Sequence, residues 1–196
     1  MKRVTTGVWL ENTATGERSM LVKLPAETGG RYFEIEYACK PFAGKGSIPP
    51  HYHPTYTERF EILSGSARYL LGKEERTARA GETVVLPPRI VHMHPWSDSN
   101  EELRVRMFSE ADPPDVSGLS ANINAAITHY GLASGGKVNK EGQESFLQRA
   151  VSGYSILPGA CVAGLSVPAA RVVLGAFALI GRAAGYRVSY PEYGQV

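Results

Sequence analysis

Excess charge is missing from this sequence. Its 196 residues hold 21 Lys and Arg against 19 Asp and Glu, a formal net charge of +2, and no stretch gathers five like charges. A nucleic-acid partner therefore has no electrostatic footprint here. Cysteine is scarce: Cys39 and Cys161 stand far apart, outside any C-x-x-C spacing, which removes the signature of a redox pair or a thiolate metal site. Both are read as buried reduced thiols, in keeping with a reducing cytoplasm. An apolar leader is also lacking, since Met1-Lys2-Arg3 runs straight into Thr5, Thr6, Gly7 and Glu11, so no export signal is read. One apolar run, Val172 to Gly181, is bounded by Arg171 and Arg182 and falls short of the ~20 residues that a membrane-spanning helix needs. There is no internal repeat.

What is present is the balance of an ordinary globular protein, 43% hydrophobic and 20% charged, in a chain long enough for one well-buried core and an appendage. The first hundred residues carry short β-type runs separated by clusters of Gly, Pro, Asn and Ser. Val8-Trp9-Leu10 and Met20-Leu21-Val22 flank the turn-prone Asn12 to Gly16 and read as a hairpin. Tyr32 to Tyr37 alternates, with Phe33, Ile35 and Tyr37 on one face and Glu34 and Glu36 on the other. Glu58 to Leu63, Ala67 to Leu71, Arg76 to Ala80, Thr83 to Leu86, Ile90 to His94 and Leu103 to Phe108 complete a set of roughly eight strands with no long helix among them. That pattern favours a closed barrel or jelly roll.

Asp112-Pro113-Pro114-Asp115 marks a break, because paired prolines suit neither a strand nor a helix interior. Residues 1–112 are thus expected to form a β-barrel domain and 113–196 an α-helical C-terminal extension. Asn122 to Leu132 and Glu144 to Ala150 carry helical periodicity, and Ser166 with Pro168 opens a third helix whose apolar surface comprises Val172, Val173, Ala176, Phe177 and Ile180.

The chemistry-bearing residues lie in the β region. His51-Tyr52-His53 sets two imidazoles at i and i+2, on the same face of an extended strand, so both can aim at one point. Glu58 follows after a turn at Pro54, in phase with Phe60 and Ile62, which turns a carboxylate toward an apolar interior. A buried carboxylate needs a partner, and a cation from outside supplies one. His92 adds a third imidazole from a separate strand. Three imidazoles and one carboxylate leave one or two positions open on a divalent first-row metal; Fe, Mn, Ni, Cu and Zn all accept such ligands.

The run His51-Tyr-His53-Pro-Thr-Tyr-Thr-Glu58-Arg-Phe-Glu-Ile-Leu-Ser-Gly65 resembles the first motif of the cupin superfamily, H-x-H, four residues, Glu, six residues, Gly. Gly81-Glu-Thr-Val-Val-Leu-Pro87-Pro-Arg-Ile-Val-His92 is similar to the second, Gly, five residues, Pro, then His. The resemblance implies a mainly β fold, a double-stranded β-helix (jelly-roll) barrel. It also implies that His51, His53, Glu58 and His92 hold one divalent transition metal ion. Three positions depart from the pattern: Gly46 stands one residue too close to the first motif, Arg89 replaces the usual glycine of the second, and Trp96 takes the place of an asparagine. None is a ligand, so they bear on turn geometry and pocket shape. The motifs cover roughly residues 30 to 110, and the resemblance gives the helical tail no role.

The function expected is that of a metal-dependent enzyme acting on a small organic molecule, dioxygenase-like, with Glu58 as ligand and, if released, as base. A sugar isomerase or epimerase and a non-catalytic binding or sensor module are the alternatives. His94, at i+2 from His92, reads either as a group beside the site or, more commonly, as a solvated strand-end histidine. Arg104 and Arg106 read as an exposed sheet face, and Tyr52, Tyr56, Phe60 and Tyr69 as core and rim. His129 is assigned nothing. The 168–185 helix suits either a membrane surface or, preferentially, the barrel or the interface of a homodimer.

Overall fold

A computed structural model of the chain describes residues 5–194; Met1 to Arg3, on which the reading of the leader rests, lie outside the described residues. Two antiparallel sheets carry the fold. The first has the order β1-β2-β3-β10-β5-β8, formed by β1 (Trp9–Asn12), β2 (Glu17–Lys23), β3 (Tyr32–Cys39), β5 (Tyr56–Ser64), β8 (Thr83–Leu86) and β10 (Leu103–Ala111). The second has the order β11-β4-β9-β6-β7, formed by β4 (His51–Tyr52), β6 (Ser66–Leu71), β7 (Glu74–Arg79), β9 (His92–Ser97) and β11 (Cys161–Val162). Three helices follow, α1 (Val116–Ser134), α2 (Phe146–Ser155) and α3 (Val167–Ala183). This is the jelly-roll form of a β-barrel, with the helices toward the C-terminus.

Alternation builds the first sheet. On β5, Tyr56, Glu58, Phe60 and Ile62 are buried, and on β10 Leu103, Val105, Met107, Ser109 and Ala111. These inward sets meet Leu21, Phe33 and Tyr37 from β2 and β3, and Ala67 and Ala78 from the second sheet, in one apolar core. The expected hairpin is present, with Trp9 opposite Met20 and Asn12 opposite Glu17. Arg104 and Arg106 face outward and pair with Glu36 and Glu34, which is the exposed-face arrangement.

α1 and α2 are longer than periodicity suggested, and the cap of α1 explains its earlier start. Asp115, within the segment taken as a break, caps α1 by accepting from Gly118 N at 2.8 Å and is itself bonded by the Tyr56 hydroxyl at 2.6 Å. An N-cap aspartate satisfies a donor that the first turn leaves free, so the helix starts earlier than its apolar pattern does. Ser166 caps α3 with Pro168 in its first turn, as expected. Leu119, Ile123 and Ile127 of α1 join the barrel's core, so the first helix closes one end of the sheets. No helix among the described residues is long and apolar enough to cross a membrane.

Several strands run a few residues beyond expectation, and one boundary bears on the site. The run expected from Ile90 to His94 begins instead at His92, because Pro88 to Ile90 form a turn with Arg89 at φ 67. That left-handed conformation explains why a glycine suits the position, and why Arg89 there is strained.

Candidate metal centre

Three short stretches bring five side chains together. His51 on β4 lies directly opposite His92 on β9, which fixes two imidazoles by strand register. His53 follows β4 by one residue, where its carbonyl accepts from Arg89 N at 2.7 Å. Glu58 projects from β5, between Ser109 of β10 and Leu86 of β8, and His94 stands two residues beyond His92. One ligand atom from each of His51, His53, Glu58, His92 and His94 lies within 4.8 Å of all the others. Four of the chain's five histidines are in this cluster. His94 is therefore not the solvated strand-end residue that its position suggested: its side chain is only 15% exposed and its Nε2 is 2.9 Å from Glu58 Oε2.

The ring nitrogens show which atoms are free to ligate. Nδ1 of His51 lies 2.9 Å from Pro49 O, Nδ1 of His53 2.7 Å from Gly159 O, and Nδ1 of His92 2.9 Å from Ile90 O. A carbonyl oxygen only accepts, so each Nδ1 carries the proton and each Nε2 presents a lone pair. This is the arrangement by which outer hydrogen bonds orient imidazole ligands. The lone pairs point at one another's neighbourhood: His53 Nε2 and His92 Nε2 come within 3.2 Å of Glu58 oxygens. Their angles do not meet hydrogen-bond geometry, and the Nε2 atoms of His53, His92 and His94 and Oε2 of Glu58 are buried without a hydrogen-bond partner.

Such orphaned buried groups are costly, on the order of 1–3 kcal/mol each. A divalent cation removes the deficit, and the donor set fits one. Ligand bonds of about 2.1 Å put adjacent donors roughly 3 Å apart and opposed donors roughly 4.2 Å apart. The distances from Glu58 oxygens to Nε2 of His53, His92 and His94, 3.2, 3.2 and 2.9 Å, match the adjacent spacing, the whole set lies within 4.8 Å, and imidazole with carboxylate suits first-row transition metals. Arg106 Nε is the other buried orphan among the described residues, and it belongs to the outer sheet face.

The electrostatics agree. Burial by itself would push the Glu58 carboxyl up, yet His94 and His53 beside it hold it well below the usual carboxylate range. Burial lowers His51 well below an ordinary imidazole, with His94 adding to the effect. Burial also pulls His53 down, but the adjacent Glu58 outweighs it and the pKa is raised. Glu58 is thus a carboxylate and His51 a neutral ligand across the neutral range.

Two contributors come from the helical tail and carry no sequence signal. Gly159, in the loop after α2, supplies the carbonyl that orients His53, and β11 pairs with β4, setting Val162 opposite His51. From the cluster a cavity of about 360 Å³ runs between the sheets to α1, walled by Leu21, Phe33, Ile35, Met107, Ile123 and Ile127. Its volume is that of a small-molecule site. Of the aromatic residues read as core and rim, Tyr56 and Phe60 are core, and His129 is held by Glu144 at 3.3 Å at the cavity's edge.

Residues 42–109 match the family model described as Cupin domain. No curated protein matches the chain. Solved structures that resemble it include KdgF from Halomonas sp., 18% identical with a TM-score of 0.42, covering 53% of this chain and 86% of that one. An uncharacterized conserved protein with a double-stranded β-helix domain from Klebsiella pneumoniae is 17% identical with a TM-score of 0.42, covering 58% and 85%. A structure of oxalate oxidase is 19% identical with a TM-score of 0.42, covering 68% and 74%. At such identities and scores they carry nothing about activity. The matched segment runs from before β4 into β10 and contains all five clustered residues, so this part of the chain is similar to a cupin domain.

Proposed function

We propose that the protein is a metal-dependent, dioxygenase-like enzyme acting on a small organic molecule, with His51, His53, Glu58 and His92 as ligands of one divalent transition metal ion and His94 beside them. The observation that carries the reading is a cluster of buried, unpartnered imidazole and carboxylate atoms opening into an apolar cavity. Bound there, an ion of Fe, Mn, Ni, Cu or Zn supplies Lewis acidity, and the redox-active members supply one-electron chemistry as well. The chain's own residues do the rest. The three carbonyl-anchored imidazoles fix the geometry, and the apolar walls exclude water from the reacting group. Glu58, if released from the ion, is the group placed to accept the proton of an acidic hydroxyl on the substrate, with His94 Nε2 2.9 Å from its Oε2 to take it onward.

Residues 113–196 are proposed to be an extension of the barrel rather than an independent domain, and the chain to be a homodimer. The outward face of α3 is apolar: Val172 is 74% exposed, Leu179 68% and Ile180 55%. Its opposite face, with Ala170, Ala178 and Gly181, is buried against the molecule. A helix apolar on both sides is one covered on both sides, and a second copy covers the patch with itself. A reducing cytoplasmic setting is part of the same proposal, in keeping with the free buried thiols of Cys39 and Cys161.

The test is to purify the protein with and without air, measure bound metals, and follow O2 uptake with a panel of flavonols, catechols and β-diketones. Uptake that tracks Fe, Mn, Ni or Cu content supports the reading. Tight ligand retention without turnover replaces it with a binding or sensor module, and metal-dependent sugar isomerisation replaces it with that activity.

A further inference from the structure

The cavity has a second polar end. Glu17, at the start of β2, lines it and is only 7% exposed. Its carboxylate has two hydrogen-bonding neighbours, the Thr15 hydroxyl at 3.2 Å and the Cys39 thiol at 3.7 Å, both neutral. Among the described residues it forms no ion pair, unlike the buried Glu36, which Arg104 neutralises, and Glu58, which faces four imidazoles. A carboxylate so buried and without a cation is costly, and a thiol is a weak donor.

Its neighbours are a hydroxyl, a thiol and phenols, and Arg149 and His129, which also line the cavity, form no ion pair with it among the described residues. The phenol of Tyr37 is pushed up by burial first, then by Cys39, Glu17 and Glu58, so Tyr37 lies within electrostatic reach of both carboxylates. Tyr130 of α1 is pushed up by burial and then by Glu17. The Tyr37 hydroxyl is spent on Pro95 O at 2.8 Å and does not neutralise Glu17. The geometry is that of an apolar tube with a cluster of metal-ligating groups at one end and, at the other, a buried carboxyl group without an ion-pair partner among the described residues. The first helix of the extension closes its side through Ile123, Ile127 and Tyr130.

We propose that the cavity takes an elongated organic molecule with an oxygen-bearing head at the His/Glu cluster, an apolar body along the walls, and a protonated amine at its far end that pairs with Glu17. The head's placement rests on the metal-site reading above; the amine's rests on Glu17 alone. Glu17 is a specificity residue, remote from the reacting atoms, and the extension contributes the wall that sets the body's length.

The inference is tested with metal-loaded protein and catechols carrying either an alkyl tail or an isosteric tail ending in an ammonium group, in a series of increasing length, with affinity read by calorimetry. The expected result is tighter binding of the ammonium member by about tenfold or more at one tail length, since hydrogen bonds between charged partners are the stronger kind. Glu17→Gln should abolish that preference while leaving metal content and the affinity of the alkyl members unchanged. Equal affinity of paired tails for the wild-type protein at every length overturns the inference and leaves the metal centre standing, without requiring the variant to fold. A preference that survives in Glu17→Gln also overturns it. Protein that holds no metal and binds neither series overturns both readings.

Discussion

The interior of the barrel and the outer face of the extension have opposite deficits. At the cluster, polar atoms of His53, Glu58, His92 and His94 are buried and lack partners, while the surrounding Phe60, Ile62 and Leu86 are fully covered. On α3 the polar requirements are met by Ser166 at the cap and by Pro168 in the first turn, while Val172, Val173, Leu179 and Ile180 stand in solvent. Each region lacks what the other has in surplus. In the proposed reading the first is completed by a small cation that fits a fixed set of donors, and the second by the apolar surface of a second copy. The comparison teaches that one fold can present two surfaces whose chemical requirements are opposite, one for a cation and one for apolar contact.

Removing a donor is the strongest way to break it. His51→Ala or His92→Ala should lower metal affinity by more than about a hundredfold, since even residues that only orient ligands are worth tenfold to a hundredfold. Metal content after dialysis against a weak chelator reads this, and a full equivalent retained would exclude the ligand assignment. The same substitution should leave α3 and its oligomeric state untouched.

The next effect is in pH. The raised pKa of His53 means that protons compete with the metal at pH values above the ordinary imidazole value of 6.5. Metal-free, His53 contributes stability that is present below that unfolded value and lost as pH rises through its folded one. Glu58, with its depressed pKa, contributes stability that is present above its unfolded value of 4.5 and lost as acid titrates the folded carboxyl. Metal binding displaces the His53 proton, so the gain in melting temperature on adding metal should grow as pH rises from about 6 to 8. A gain independent of pH would show that His53 Nε2 does not ligate.

On the other side of the comparison, Leu179→Glu should convert a dimer into a monomer in light scattering, with little change in melting temperature measured by protomer, because the residue is 68% exposed. A wild-type chain that is monomeric at micromolar concentration would remove the second copy as the occupant of α3. The smallest effect concerns Arg89. Its φ of 67 disfavours a side chain, so Arg89→Gly should stabilise the protein by about 0.5 kcal/mol, the relief of strain being partly offset by the glycine's freedom when unfolded. Urea denaturation reads the change, and destabilisation would show that the bond from Arg89 Nε to Pro54 O, 3.4 Å long, outweighs the strain.

The same division governs what was legible beforehand. Side-chain periodicity announced the hairpin at Asn12, the Thr83–Leu86 strand and the Ser166 cap, because each is a local property of the sequence. His51, His53, Glu58 and His92 were legible because strand alternation and motif spacing fix which way they project. His94 was ambiguous, since its burial depends on Pro95 and Trp96 continuing β9 inward, which proline near a strand end argues against. The carbonyl of Gly159 on His53 was not legible at all: every residue has a carbonyl, and only the path of the chain after α2 decides which one reaches the ring. The pairing of β11 with β4 is hidden for the same reason, two residues being too few for periodicity to register.

The central claim is one divalent ion at one place. A crystal of protein purified with its native metal, measured at that metal's absorption edge, should give a single anomalous peak at about 2.1 Å from Nε2 of His51, His53 and His92 and from an oxygen of Glu58. A metal-replete crystal with no peak there, or with its peak elsewhere on the molecule, would contradict the account.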